Sequence, residues 1–378
     1  MKYSGIDLHS NNAVVAVIDD QDRVLYCKRL ANDLSPIIAV LAPFREDLQG
    51  VVVESTYNWY WFVDGLMAAG FAVHLANTAA IKQYEGLKYA GDERDAVFLA
   101  HIFRLGLLPE GYIYPPQERG LRDLARKRMQ LVQQRTRNTL SIENILARQL
   151  NLHLDAQQVR HLDSAAVTAL ALPLHIETAL AANLAVVRTL QAQIRAIESI
   201  LHREVKLRSD FAILKTAPGI GVTLATTIML ETGTISRFRT VGQFSSYCRC
   251  VESRRVSNGR KKGEGNARNG NKYLSWAFIE AAAVAMRSCP QATRFYERKK
   301  ARRMPGFSLS WLQSWSAPVI HRDQGEGRCS GFRPWLRESP RKPSVPDRCP
   351  REYSPMIGLL REQCQAHFGS WSGHPSGR

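Results

Sequence analysis

Four carboxylates in three separate stretches of this chain have the types and spacing to hold a cation together. Asp7 interrupts the apolar, β-branched run from Ser4 to Asp19, where an ionised carboxylate is tolerated only if it is paired, hydrogen-bonded or bound to a metal. Glu54 ends the apolar strand Val51-Val52-Val53 in the same way. Asp92 and Asp95 follow a glycine at i and i+3, so a helix beginning there carries both on one face and turns Glu93 away from it. Carboxylates are hard oxygen ligands, and they suit Mg²⁺, which keeps several waters and bridges to phosphate oxygens.

A second chemistry lies far along the chain. The stretch from Glu252 to Lys272 combines Gly, Asn and Ser with seven basic residues, Arg254, Arg255, Arg260, Lys261, Lys262, Arg268 and Lys272. Such a loop has backbone freedom and positive charge for phosphate. A serine held among these cations is either a nucleophile towards a phosphodiester, because the cations stabilise charge developing on phosphorus, or simply a phosphate hydrogen-bond donor. Upstream, Pro218-Gly219-Ile220-Gly221 precedes an apolar helix. It resembles a helix-hairpin-helix turn, in which the amides backed by Gly219 and Gly221 contact phosphate at a helix N-terminus.

Positioning the acids requires strand ends and a helix start, and the first 117 residues provide them. The pattern predicts a hairpin, a strand over 23–29, a short helix over 35–41, a strand over 50–54, a helix over 59–69, a strand over 71–75 and a helix over 92–104. Strands alternating with helices indicate an α/β layered sheet. From residue 117 to about 150 the period becomes helical and dense in Arg and Gln, and a second apolar-striped helix runs from about 176 to 207. Together they predict an antiparallel, coiled-coil-like helical arm that presents Arg126, Lys127, Arg135 and Arg137 outward, either to solvent or to RNA.

The charge is divided in the same way. The net charge is +17, from 51 Lys and Arg against 34 Asp and Glu. Residues 1–117 hold 9 basic and 14 acidic side chains, net −5, so the remainder carries +22. An acidic domain able to hold cations is followed by a basic body able to hold a polyanion. Seven cysteines, odd in number and without a Cys-x-x-Cys pair, imply neither a disulfide framework nor a zinc site. The apolar runs fall short of the roughly 20 residues that span a bilayer, so the expected location is cytoplasmic, with no membrane partner. Beyond Met304 come nine of the 17 prolines and four of the seven tryptophans without sustained periodicity. That mixture fits a disordered or frame-shifted tail.

Taken in order, Gly5-Ile6-Asp7, Val53-Glu54, Asp92-Glu93-Arg94-Asp95-Ala96, Pro218-Gly219-Ile220-Gly221 and Gly270-Asn271-Lys272-Tyr273-Leu274 resemble the DEDD transposases of the insertion-sequence 110 family. The resemblance runs from about Tyr3 to Arg303. It implies a RuvC-like, RNase H-like mixed sheet domain over 1–117, a helical arm over 118–210 and a mainly helical transposase domain over 211–303, with 304–378 apart. It implies that Asp7, Glu54, Asp92 and Asp95 bind Mg²⁺ and that Ser257, in Val256-Ser257-Asn258-Gly259, is the nucleophile, with Ser253 second. It also implies that the chain cuts and rejoins DNA at element ends and target, guided by a structured RNA. A site shared between subunits makes a homodimer or homotetramer the expected working unit. Two readings compete with this one: a RuvC-like junction resolvase that needs no serine, and an inactive nucleic-acid-binding relic. A sugar-kinase or actin-like ATPase is disfavoured, because Leu8-His9-Ser10 stands where Gly-Thr would follow the first aspartate.

Overall fold

The structure is a computed structural model that describes residues 1–81, 91–251, 255–263 and 269–301. Ser253, Arg254, the stretch leading into residue 91 and the atypical tail all lie outside the described residues. The chain packs as two compact units, one comprising Met1–Pro115 with Ser253–Asn269, the other running from Pro116 to Glu252 and onward from Gly270.

The first unit is built on a mixed sheet. Its strands are β1 (Lys2–Leu8), β2 (Asn12–Asp19), β3 (Val24–Ala31), β4 (Leu48–Glu54), β5 (Val73–Ala76) and β6 (Glu110–Gly111), in the order β3-β2-β1-β4-β5-β6. β1, β4 and β5 run parallel, and β2, β3 and β6 are antiparallel to their neighbours. The interior strands β1 and β2 are buried on both faces, which is why they read as continuous apolar runs rather than as alternation. On one face α1 (Leu34–Leu41) and α2 (Trp59–Ala68) cover Ile6, Leu8, Val15, Val17, Val51 and Val53 with Ile37, Phe62 and Leu66. On the other, α3 (Asp92–Arg104) lies over Val14, Ala16 and Val52 through Ala96 and Leu99. The mixed six-stranded sheet with helices fits the RNase H-like α/β expectation.

Gly5 explains how α3 approaches so closely. A side chain there would place its Cβ 2.1 Å from the Ala96 carbonyl oxygen and 2.7 Å from the Ala100 nitrogen, so helix backbone rests directly on strand backbone. The same unit holds a two-stranded hairpin, β7 (Arg255–Ser257) and β8 (Arg260–Gly263). In sequence this loop falls within the expected transposase domain over 211–303, whereas in the fold it groups with the sheet.

The second unit is helical: α4 (Pro116–Leu150), α5 (Ala156–His161), α6 (Ser164–Ala169), α7 (Leu174–Val205), α8 (Ser209–Lys215), α9 (Val222–Thr232), α10 (Val241–Tyr247), α11 (Lys272–Ser288) and α12 (Pro290–Ala301). Contacts from Arg128 to Glu198 and from Arg135 to Gln191 step in opposite directions along α4 and α7, so the two long helices pair antiparallel. Ile142, Leu146, Leu180 and Leu184 form one core at the far end of the pair. Ala125, Leu201 and Val205 join α9 and α11 in another core at its base.

Candidate metal centre and serine hairpin

β1 and β4 are parallel neighbours with Ile6 opposite Val53, so the next residues of each, Asp7 and Glu54, leave the sheet side by side. The two-residue strand period puts Asp7 on the same face as Gly5, the face that α3 covers. α3 begins at Asp92, after Gly91, which makes no side-chain cap; Asp92, Glu93 and Asp95 occupy its first turn, where the helix dipole favours negative charge. Asp92 and Asp95 are half-buried, whereas Glu93 is exposed. The close approach permitted by Gly5 thus delivers the helix acids to the edge where the strand acids end.

Their electrostatics record the crowding. Burial, a hydrogen bond with Asp7 and the charges of Asp7 and Asp95 push the Glu54 carboxyl up to about 8 from its usual 4.5. Asp95 is also raised, by burial and then by the charges of Asp7 and Asp92. Asp92 is lowered, chiefly by the Arg29 guanidinium, whose Nη2 lies 2.5 Å from Asp92 Oδ2. Like charges held this close are stabilised by a cation among them, and oxygen donors of this kind fit Mg²⁺ or a similar hard ion.

His9 is the residue that sequence reasoning passed over. Its Nε2 stands 3.2 Å from Asp7 Oδ2 and 3.2 Å from Asp92 Oδ2, without the alignment of a hydrogen bond to either. Asp7, His9 and Asp92 present donor atoms that all lie within 4.8 Å of one another. The His9 carbonyl accepts from Asn32 Nδ2 at 3.0 Å and Asn58 Nδ2 at 2.9 Å, which holds the β1–β2 turn in place. The signal available in the sequence was the Asp-x-His spacing at the end of a strand, which sets both side chains on one face.

Ser257 closes β7 and is exposed. Asn258 and Gly259 follow with φ of 49° and 71°, both left-handed, as a two-residue type I′ hairpin turn requires. Ser257 therefore sits opposite Arg260, and Lys262, further along the returning strand, is exposed. The hairpin strands include Arg255 and Lys261. On the return of the chain, Asn77, next to the β5 residue that pairs with Glu54, donates from Nδ2 to Asn269 Oδ1 at 3.4 Å.

The basic residues expected to face outward divide into two sets. Lys127 and Arg137 are exposed, and Lys127 donates to Gln130 along its own helix. Arg126 instead forks onto the buried Glu231 at 2.5 and 2.8 Å and lies 4.5 Å over the Tyr273 ring. Arg135 is half-buried and donates to Gln191 on α7. The outward assignment of Arg126 and Arg135 is thereby corrected, because their partners lie 105 and 56 residues further along the chain and one helix's periodicity does not register them.

At the Pro-Gly-Ile-Gly turn between α8 and α9, Gly219 has φ +83° and would place a Cβ 2.1 Å from the Ala281 carbonyl, so backbone packing against α11 accounts for it. Gly221 precedes α9 with open space around it. Lys272, the first residue of α11, is exposed beside the Tyr273 ring. Among the described residues no helix is long and apolar enough to cross a membrane.

Comparison with known proteins places these features in context. Residues 4–150 match a family described as a DEDD transposase of the IS110 type, and residues 211–297 match the transposase IS116/IS110/IS902 family. A relative from Streptomyces coelicolor, described as the insertion element IS110 uncharacterized 43.6 kDa protein, is 27% identical over 110 residues. That stretch covers 29% of this chain and 27% of the relative.

Proposed function

The chain belongs to the DEDD transposases of the IS110 family, and from that premise we propose that it cuts and rejoins DNA strands as the transposase of an insertion sequence. The observation that supports this reading best is the meeting of Asp7 and Glu54 on adjacent parallel strands with the first turn of α3, where burial and mutual repulsion raise Glu54 to about 8. Asp7, Glu54, Asp92 and Asp95 would hold a divalent cation, with Mg²⁺ the best match to hard oxygen donors. The chemistry that such a cation would supply there is Lewis-acid polarisation of the scissile phosphodiester.

Ser257 supplies the nucleophile. Its Oγ forms a bond to phosphorus as the bond from phosphorus to a DNA oxygen breaks, and the serine proton passes to that leaving oxygen. The product is a serine–phosphate diester that conserves the bond energy, so a second strand can displace the serine and reseal without an external energy source. Arg260, paired opposite Ser257, and the exposed Lys262 of the same strand stabilise charge on the phosphate. The exposed Lys127 and Arg137 offer phosphate contacts to a structured guide RNA, and a homodimer or homotetramer is the working unit.

Incubation with a nicked suicide DNA substrate and Mg²⁺ tests the reading. A covalent protein–DNA adduct mapping to Ser257, lost in Ser257→Ala and in Asp7→Asn, is expected. Full cleavage by Ser257→Ala would replace the serine mechanism with hydrolysis by a resolvase. Mixing Asp7→Asn with Ser257→Ala subunits tests sharing: recovered activity supports a site completed by two subunits, and a dead mixture at every ratio rules it out.

A further inference from the structure

His9 brings a nitrogen donor to a site otherwise lined by carboxylates, and the chemistry above gives it no part. Its Nε2 is buried and, among the described residues, has no hydrogen-bond partner. A ring nitrogen shut away from water in that way is unfavourable unless an ion or a ligand atom completes it. It stands 3.2 Å from Asp7 Oδ2 and 3.2 Å from Asp92 Oδ2. Neighbouring donors around an octahedral ion with bonds of about 2.1 Å lie about 3 Å apart. Both spacings are therefore close to those of ligands that share one ion.

The backbone holds this nitrogen in place. The His9 amide donates to the Asn12 carbonyl at 2.9 Å, and the His9 carbonyl accepts from both Asn32 Nδ2 and Asn58 Nδ2. Asn58 Oδ1 accepts in turn from Thr56 Oγ1 at 2.8 Å, and the Thr56 amide donates to the Glu54 carbonyl at 2.9 Å. A continuous set of hydrogen bonds thus links the end of β4 that carries Glu54 to the turn that carries His9. Asp92 is oriented from outside, because Arg29 donates from Nη2 to its Oδ2 at 2.5 Å while Nη1 donates to Asn12 Oδ1 at 2.8 Å. A carboxylate oxygen has two lone pairs, so Oδ2 can accept from Arg29 and still face an ion with the other. Outer partners of this kind fix the direction of metal ligands.

We propose that His9 Nε2 is a further ligand of the cation held by Asp7, Glu54, Asp92 and Asp95, and that it turns the preference of the site from Mg²⁺ towards Mn²⁺. The inference rests on the reading of those acids as a cation site and names the ion that the site selects. Mg²⁺ is hard and is served by oxygen, whereas imidazole is a ligand of first-row transition ions. Carboxylates suit Mn²⁺ as well, so carboxylates joined by one imidazole give Mn²⁺ a donor that Mg²⁺ uses poorly. The competing role for His9 is that of an internal cation, a charged ring that neutralises Asp7 and Asp92 in place of a metal. The two roles have opposite consequences. Removing an internal cation strengthens metal binding, and removing a ligand weakens it.

The test measures binding of MnCl₂ and of MgCl₂ to the whole chain without DNA by titration calorimetry, beside pulsed EPR of the Mn²⁺-loaded protein for coupling to an imidazole nitrogen. The unmodified protein is expected to bind Mn²⁺ at least about tenfold more tightly than Mg²⁺ and to show the coupling. His9→Ala, which keeps every backbone hydrogen bond of the turn, is expected to lose the coupling and at least about tenfold in Mn²⁺ affinity, with Mg²⁺ affinity changed by less than about threefold.

Mn²⁺ bound without nitrogen coupling overturns the inference. So does a folded His9→Ala protein whose Mn²⁺ affinity is unchanged or increased, an increase marking His9 as an internal cation, and an equal loss for both ions overturns the stated preference. If His9→Ala does not fold, as its melting temperature in chelator shows, the other proteins decide: coupling present in the unmodified protein and absent from Asp7→Asn supports the inference, and coupling absent from the first or retained by the second overturns it. Failure of the parent reading looks different, because the unmodified protein would then bind neither ion, or Asp7→Asn would bind both as tightly as the unmodified protein does.

Discussion

Replacing Glu54 by glutamine should stabilise the cation-free protein at neutral and higher pH while abolishing its response to divalent cations. The unmodified carboxyl is raised from 4.5 to about 8, first by burial and then by Asp7 and Asp95. The folded state then holds a proton that the unfolded chain releases, so this stability is fully present below about pH 4.5 and is lost as pH rises through about 8. At about 1.4 kcal/mol per pH unit, the decline between about pH 5 and pH 8 amounts to roughly 3–4 kcal/mol. A glutamine at this position neither titrates nor repels, and its amide can still donate to Asp7. Denaturant unfolding in chelator across that range should therefore show the two proteins nearly equal at about pH 5 and Glu54→Gln ahead by about 3 kcal/mol at about pH 8. Millimolar Mg²⁺ should raise the midpoint of the unmodified protein, increasingly with pH, because cation binding displaces the Glu54 proton. A stability difference that does not vary with pH, or a variant that keeps the full Mg²⁺ response, would refute the reasoning.

Three other perturbations read different parts of the structure. Gly5→Ala must displace α3, since its Cβ would lie 2.1 Å from the Ala96 carbonyl; a loss of about 3 kcal/mol and of Mg²⁺-dependent stabilisation is expected by thermal unfolding with and without the ion. Gly259→Ala introduces a side chain at φ +71° in open space, a strain of about 1 kcal/mol confined to the hairpin; adduct formation at Ser257 should fall while the global melting temperature stays put. Changing Lys127 and Arg137 together to glutamine should lower affinity for structured RNA and reduce the slope of log affinity against log salt by roughly 0.7–0.9 for each lost phosphate contact; an unchanged slope would remove these residues from the interface.

Local pattern alone determined the elements of this protein and the candidates within them. The helix over 92–104, the long helices near 117–150 and 176–207, and the strands that end on Asp7 and Glu54 follow from period and composition, because each is selected by its own apolar stripe or run. Asn258-Gly259 also carried a hairpin signal, since only residues tolerant of positive φ serve both positions of a type I′ turn. Which side chains meet is decided by packing between distant segments. Arg126 and Lys127 are neighbours in one basic run, yet the fold turns one onto Glu231 and leaves the other in water. His9 gained its place between Asp7 and Asp92 only when α3 settled onto Gly5. The Ser257 hairpin grouped with the acid-bearing sheet rather than with the helices that flank it in sequence. A one-dimensional pattern records the burial that each residue seeks, and the identity of its partner across some hundred residues is set by the tertiary structure.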